Sequence, residues 1–211
     1  MRGWSMAIAI WLSLLVVGAR ARAEDTAAQT EAKARTMLAA GIDQVVSPQV
    51  LAQLGPALPD ALIAIFSRSG EARHVRLRAL SMLTHFEGVR VTQLFARLVH
   101  EGGAAPSANF PDPLHPARSS LVLQRAIAGA ARHLTDASAL DLTRLLGHQD
   151  ANVRATVVLA LSDYDRADVR AALRLQLTRE SSPLVLRALT DRSARLRAPR
   201  LSDPKTATPP R

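Results

Sequence analysis

The chain has 211 residues, 48% apolar and 21% charged, a balance that excludes disorder throughout and suffices for one domain with a sizeable core. Aromatics make up only 3%, and the apolar side is almost entirely Ala, Leu and Val, which favours closely stacked helices over a sandwich built from Tyr, Phe and Ile. There is no cysteine, so disulfides, thiolate zinc sites and cysteine nucleophiles are excluded, and the expected fold class is all-α.

The formal charge of +9 suggests a nucleic-acid partner until it is divided along the chain. Arg2, Arg20 and Arg22 place +3 on residues 1–23, and residues 192–211 carry +5, so residues 24–191 hold only +1. The basic character therefore belongs to the two ends, and no nucleic acid is expected on the body. Lys33 and Lys205 are the only lysines against 25 arginines, a bias that fits a GC-rich coding sequence and has little functional weight.

At the N-terminus, Arg2 precedes an apolar run from Ala7 to Val17, and Ala21-Arg22-Ala23 supplies a small-x-small pattern before Glu24-Asp25. Together these predict a signal peptide over residues 1–23, cleaved after Ala23, with Ala21 and Ala23 as the cleavage residues. The resulting location is periplasmic or secreted. The alternative is an inner-membrane anchor over residues 7–19, for which the apolar run is short against the ~20 residues of a spanning helix.

Residues 24–57 are expected to form N-terminal capping helices. Helix-forming composition from Asp25 ends at Gly41, and Ser47-Pro48 supplies a cap and a first-turn proline for a short segment, Gln49 to Leu54. Helical spacing then predicts Asp60–Arg68, His74–Phe86, Val91–Val99, Ala117–Leu134, Ala139–Leu146, Ala151–Leu161, Asp168–Leu177 and Pro183 to about Leu196. A Pro/Gly-rich loop at about 102–116 interrupts the series, and of Asp163, Asp165 and Asp168, which cluster at the turn before the Asp168–Leu177 helix, Asp165 is the expected cap.

Aligning the second helix of each pair on Val75, Val122, Val153 and Leu184 gives intervals of 47, 31 and 31. One unit of 31 residues with a single loop insertion explains all three, and a two-helix period of that length predicts an α-solenoid. Asp150-Ala-Asn-Val-Arg154 followed by aliphatics, and His74-Val-Arg76 with Ala79, Leu80 and Leu83, resemble the short bacterial repeats of the HEAT family. The pattern departs at Val122-Leu123 and Leu184-Val185, where it wants Val-Arg. The resemblance covers residues 58–198 and implies antiparallel helix pairs with a convex and a concave face. It implies no chemistry, since such folds serve mostly as scaffolds and binding modules.

Motifs for chemistry are sparse. His74, His85, His100, His115, His133 and His148 show no i, i+3 or i+4 pairing and no His-Glu-x-x-His, so no metal is expected. A Gly-x-Ser-x-Gly elbow and a phosphate loop are both missing, so no cofactor and no catalytic residue is assigned. Three residues beyond the alignment anchors stand Arg78, Arg125 and Arg187, with Thr156 in the remaining copy, and such a row suits an acidic peptide, carboxylate or phosphate. The plainer explanation is that these arginines pair with neighbouring acids such as Asp163 and Asp191 or are simply solvated.

The last stretch, with Arg192, Arg195, Arg197 and Arg200, is proline-rich beyond Ala198, and residues 199–211 are expected to form a disordered basic tail making weak contact with an anionic membrane or cell-wall surface. Taken together, the expected function is an exported, non-enzymatic scaffold or adaptor that binds a protein or peptide in the cell envelope. The alternatives are a HEAT-like lyase or small-ligand-binding protein, and an anionic-polymer or nucleic-acid binder acting through Arg-rich surfaces. Turnover or a co-purifying chromophore distinguishes the former, and salt-dependent DNA retention by residues 24–191 the latter.

Overall fold

The computed structural model describes residues 26–40, 47–104 and 112–197, and within them every regular element is a helix. The first, α1, spans residues 26–39. It is followed by α2 (Pro48–Ala52), α3 (Leu58–Ser67), α4 (Arg73–Leu83), α5 (Val89–Gly102) and α6 (Ser120–Ala130). Then come α7 (Asp136–Arg144), α8 (Ala151–Ala160), α9 (Ala167–Arg179) and α10 (Pro183–Arg197), with 3₁₀ turns Ala131–His133 and Leu145–Gly147 extending α6 and α7. Ala21, Ala23, the rest of the expected leader, and the tail with Arg200 lie outside the described residues, as do residues 105–111 of the Pro/Gly-rich loop. Arg192, Arg195 and Arg197 belong to the last turns of α10, their side chains outside the described set. Among the described residues no helix is long and apolar enough to cross a membrane.

Helix starts follow from side chains that satisfy otherwise orphaned amides. Ser47 Oγ accepts from the Gln49 N–H at 3.2 Å, Ser119 Oγ from the Val122 N–H at 3.4 Å, and Asp150 Oδ1 from the Asn152 N–H at 2.8 Å. Thr135 and Ser138 cap α7 reciprocally: each side-chain oxygen accepts the other residue's backbone N–H, at 3.3 and 2.9 Å. Because Ser119 caps where it does, the stretch expected to be helical from Ala117 starts only at Ser120. The α9 start differs from expectation. Asp165 pairs with Arg170 rather than capping, Arg166 occupies the cap position with its guanidinium donating to the Asp168 carboxylate rather than capping, and Asp168 accepts the Val169 N–H. Gly88 enters α5 at φ 139°, a backbone region that a Cβ makes costly, which is why a glycine stands there.

The helices pair and then stack. Helix α3 packs on α4, α5 on α6 and α9 on α10, while α8 meets the 3₁₀ turn that ends α7. Neighbouring pairs touch along two rows: α3, α5, α7 and α9 form one, and α4, α6, α8 and α10 the other. The core lies between the rows, where Leu62, Ile65, Leu80, Phe95, Leu123, Ile127, Leu142 and Val158 form one continuous cluster. Each buried aliphatic or aromatic side chain contributes about 1.5–3 kcal/mol, so this shared seam outweighs any single polar contact. At the N-terminal end, Ala34 and Leu38 of α1 close the cluster.

Burial corrects the register of the last copy. Each helix of the second row buries its third residue, Val75, Val122, Val153 and Val185, all at most 1% exposed, whereas Leu184 is 47% exposed. The last interval is therefore 32 residues rather than 31. The turns before α8 and α10 are equally long, residues 148–150 and 180–182, so the additional residue lies in α9, which has 13 residues against 9 in α7 and 3 in the 3₁₀ turn that extends it.

Candidate functional site

The Val-Arg pair that occurs at 75–76 and again at 153–154 is a clasp in three dimensions. Arg76, 5% exposed, follows the buried Val75 and turns back so that its Nε donates to the Phe66 carbonyl at the end of α3, 2.7 Å away. Its two terminal nitrogens reach Asp112 of the following pair at 2.9 and 2.6 Å, and the guanidinium lies 5.6 Å over the Phe66 ring. Arg154 repeats the arrangement. It donates to the His148 and Gln149 carbonyls at 2.7 and 3.0 Å and forks onto Glu180 of the following pair at 2.9 and 2.8 Å.

Each arginine therefore joins the end of its own first helix to an acid of the next pair. The guanidinium hydrogen bond holds Asp112 below its ordinary value, and Arg154 holds Glu180 down at about 2. In the intervening copy Leu123 stands in place of the arginine, and Asp150 is held low first by the Ser120 hydroxyl and then by the Asn152 backbone amide. The acidic partners Asp112 and Glu180 carry no motif of their own. The signal for them is indirect: a buried arginine one residue past the anchor needs a carboxylate within reach.

The expected arginine row divides on inspection of its contacts. Arg78 donates from one terminal nitrogen to the Leu38 and Ala40 carbonyls at 2.7 and 2.5 Å, placing a cation at the C-terminal end of α1. Arg125 donates from Nε to Ser81 Oγ of α4 at 2.5 Å and from a terminal nitrogen to the Leu121 carbonyl at 3.4 Å. Both acceptors are neutral, and burial pulls this guanidinium below its ordinary value. Arg187 is exposed and sits one position short, because the corrected register brings the buried Ala188 to the level of Arg78 and Arg125.

The two rows differ in charge. Helices α4, α6 and α8 contain Arg73, Arg76, Arg78, Arg125 and Arg154 and no Asp or Glu, and α10 of the same row carries Asp191, whereas α3, α5, α7 and α9 contain Asp60, Glu101, Asp136, Asp141 and Asp168 among six arginines. The outward side of the second row also exposes Leu121 at 40%, Leu159 at 55% and Leu184 at 47%. Arg76 and Arg154 are taken up by Asp112 and Glu180 and Arg78 by the α1 carbonyls, so the charge of these helices is largely answered within the fold, and the exposed leucines are what the row offers to a partner.

A separate groove of about 590 Å³ opens where the end of α5 meets α7, lined by His100, Gly102, Asp141, Arg144, His148 and neighbouring side chains. Its carboxylate, Asp141, already lies 2.9 Å from Arg144 and 3.5 Å from His100, so its charge is answered within the groove. Among the described residues no group of three or more His, Asp or Glu side chains converges as metal ligands do.

No family model matches the chain. Nor does any curated protein or any solved structure match it.

Proposed function

We propose that this protein is an α-solenoid of HEAT-like helix pairs, exported to the cell envelope, where it serves as a scaffold or adaptor for a protein partner and carries out no catalysis of its own. The observation that supports this most is the repeated clasp. Arg76 and Arg154 sit at the same position of their helices, use the same acceptor types and tie consecutive pairs together. Stacked units joined only to their neighbours leave a long continuous surface, and such a surface suits recognition of another macromolecule rather than enclosure of a small substrate.

Photo-crosslinking from the exposed positions Ala128 and Leu159 of the second row, in the native envelope, tests the reading. The expected outcome is one recurrent crosslinked protein recovered from an envelope fraction, with the captured chain starting at Glu24. Recovery in the cytosolic fraction with the leader still attached, or no partner from either position, overturns it.

A further inference from the structure

Helix α1 is seated differently from the helices it caps. Of residues 26–39, Thr30, Ala34 and Leu38 are buried, a narrow face at helical spacing, whereas the shorter α3 buries Leu58, Ala61, Leu62, Ile65 and Phe66. Ala34 carries little apolar area, so Leu38, with the partly buried Met37 beside it, supplies most of the hydrophobic hold. A helix of this length is marginal in isolation, and α1 stays formed through what ties it to the stack. Those ties are charged. Arg68, at the end of α3, lies 2.7 Å from Glu31 of α1; Glu31 accepts from Arg35 one turn on, at 2.5 Å; and Arg35 lies 2.6 Å from Glu71, in the turn before α4. At the far end of α1, Arg78 of α4 donates to the Leu38 and Ala40 carbonyls.

Four alternating charges acting together hold where a single exposed pair contributes little, but they remain within reach of ions. The side chains of Arg35 and Arg68 are 34% and 47% exposed, whereas in the clasps Arg76 is 5% and Glu180 2% exposed. Salt shortens the range of accessible charges from about 30 Å at 0.01 M to about 3 Å at 1 M and screens buried pairs much less. We propose that α1 is a releasable cap: rising ionic strength frees it from the α3–α4 pair and opens the N-terminal end of the core, while the clasped stack from α3 to α10 stays folded. The direction of the effect identifies its cause. Salt does not weaken apolar contact, so a helix held by Leu38 alone is protected at least as well at high salt. The inference concerns the seat of α1 and stands independently of the scaffold reading.

Hydrogen exchange of the full chain, read by mass spectrometry, tests it. Between about 0.01 M and about 1 M NaCl the amides of α1 are expected to lose protection at least about fivefold, while those of α4, α6 and α8 stay within about twofold. Arg35→Gln breaks the run of charges at its centre, and Glu71→Gln breaks it from the α3–α4 side. Each is expected to give the fast α1 exchange already at low salt, with a further salt response within about twofold. Lys33→Gln, on the exposed side of α1, is expected to behave as the unsubstituted chain. A smaller loss of α1 protection, or a gain, overturns the proposal. So does acceleration shared by α4, in the unsubstituted chain or in either variant, because α1 and the first pair then open as one unit. Arg35→Gln and Glu71→Gln with unaltered α1 protection at low salt also overturn it, since the charges then do not form the seat.

Discussion

Arg154 and Glu180 show how much one residue pair can determine in this fold. The Glu180 side chain is 2% exposed and Arg154 is 15% exposed, so each charge relies on the other rather than on water. Glu180 titrates at about 2 when folded against an ordinary 4.5. A depressed acid contributes stability above its unfolded value and loses it as pH falls through the folded one, so the loss falls between about pH 4.5 and pH 2. The difference corresponds to about 3 kcal/mol. Glu180→Gln is accordingly expected to lower stability by about 3 kcal/mol at pH 7, and by under about 1 kcal/mol near pH 2, as measured by urea denaturation at the two pH values. The arginine was legible in sequence, because Val-Arg recurs, but Glu180 was not: a carboxylate 26 residues away becomes its partner only once the next pair has docked.

At the scale of the element, register and close approach decide what a substitution does. Val185 is fully buried while Leu184 is 47% exposed, so Val185→Ala should cost about 2 kcal/mol and Leu184→Ala under about 0.5 kcal/mol in thermal unfolding. The reverse order would restore the 31-residue interval expected from sequence. Between α5 and α6 the limit is steric. A Cβ on Gly129 would lie 2.5 Å from the ring of Phe95, itself 1% exposed and without room to retreat. Overpacking of about 1–3 kcal/mol exceeds the roughly 1 kcal/mol that alanine gains in a helix. Gly129→Ala should therefore lower the unfolding midpoint, and pairing it with Phe95→Leu should recover part of the loss. Helix existence was legible almost throughout from apolar spacing. Several ends were not, since Ser119, Thr135 and Ser138 decide them through single hydrogen bonds.

For the whole molecule, the two-row stack predicts a gradient of local stability. Helices α6 and α8 have a row neighbour on either side, whereas α9 buries only Val169 and Leu173 and α2 is five residues long. Hydrogen exchange should thus be slowest in α6 and α8 and fastest in α2 and α9; uniform protection would mean that the stack opens as a single unit. The fates of the arginines of α4, α6 and α8 belong to this scale too, since no short window of sequence contains the carboxylates and carbonyls that receive them. By itself the sequence determined the all-helical class, the pairing of helices and the caps at Ser47 and Asp150, because these depend on apolar periodicity and on contacts within a few residues. Tertiary structure alone decided the register of α10, the carboxylates that answer Arg76 and Arg154, and the separate fates of Arg78, Arg125 and Arg187. Each of those depends on which distant side chain or carbonyl arrives within hydrogen-bond reach, and that is settled only when the pairs pack.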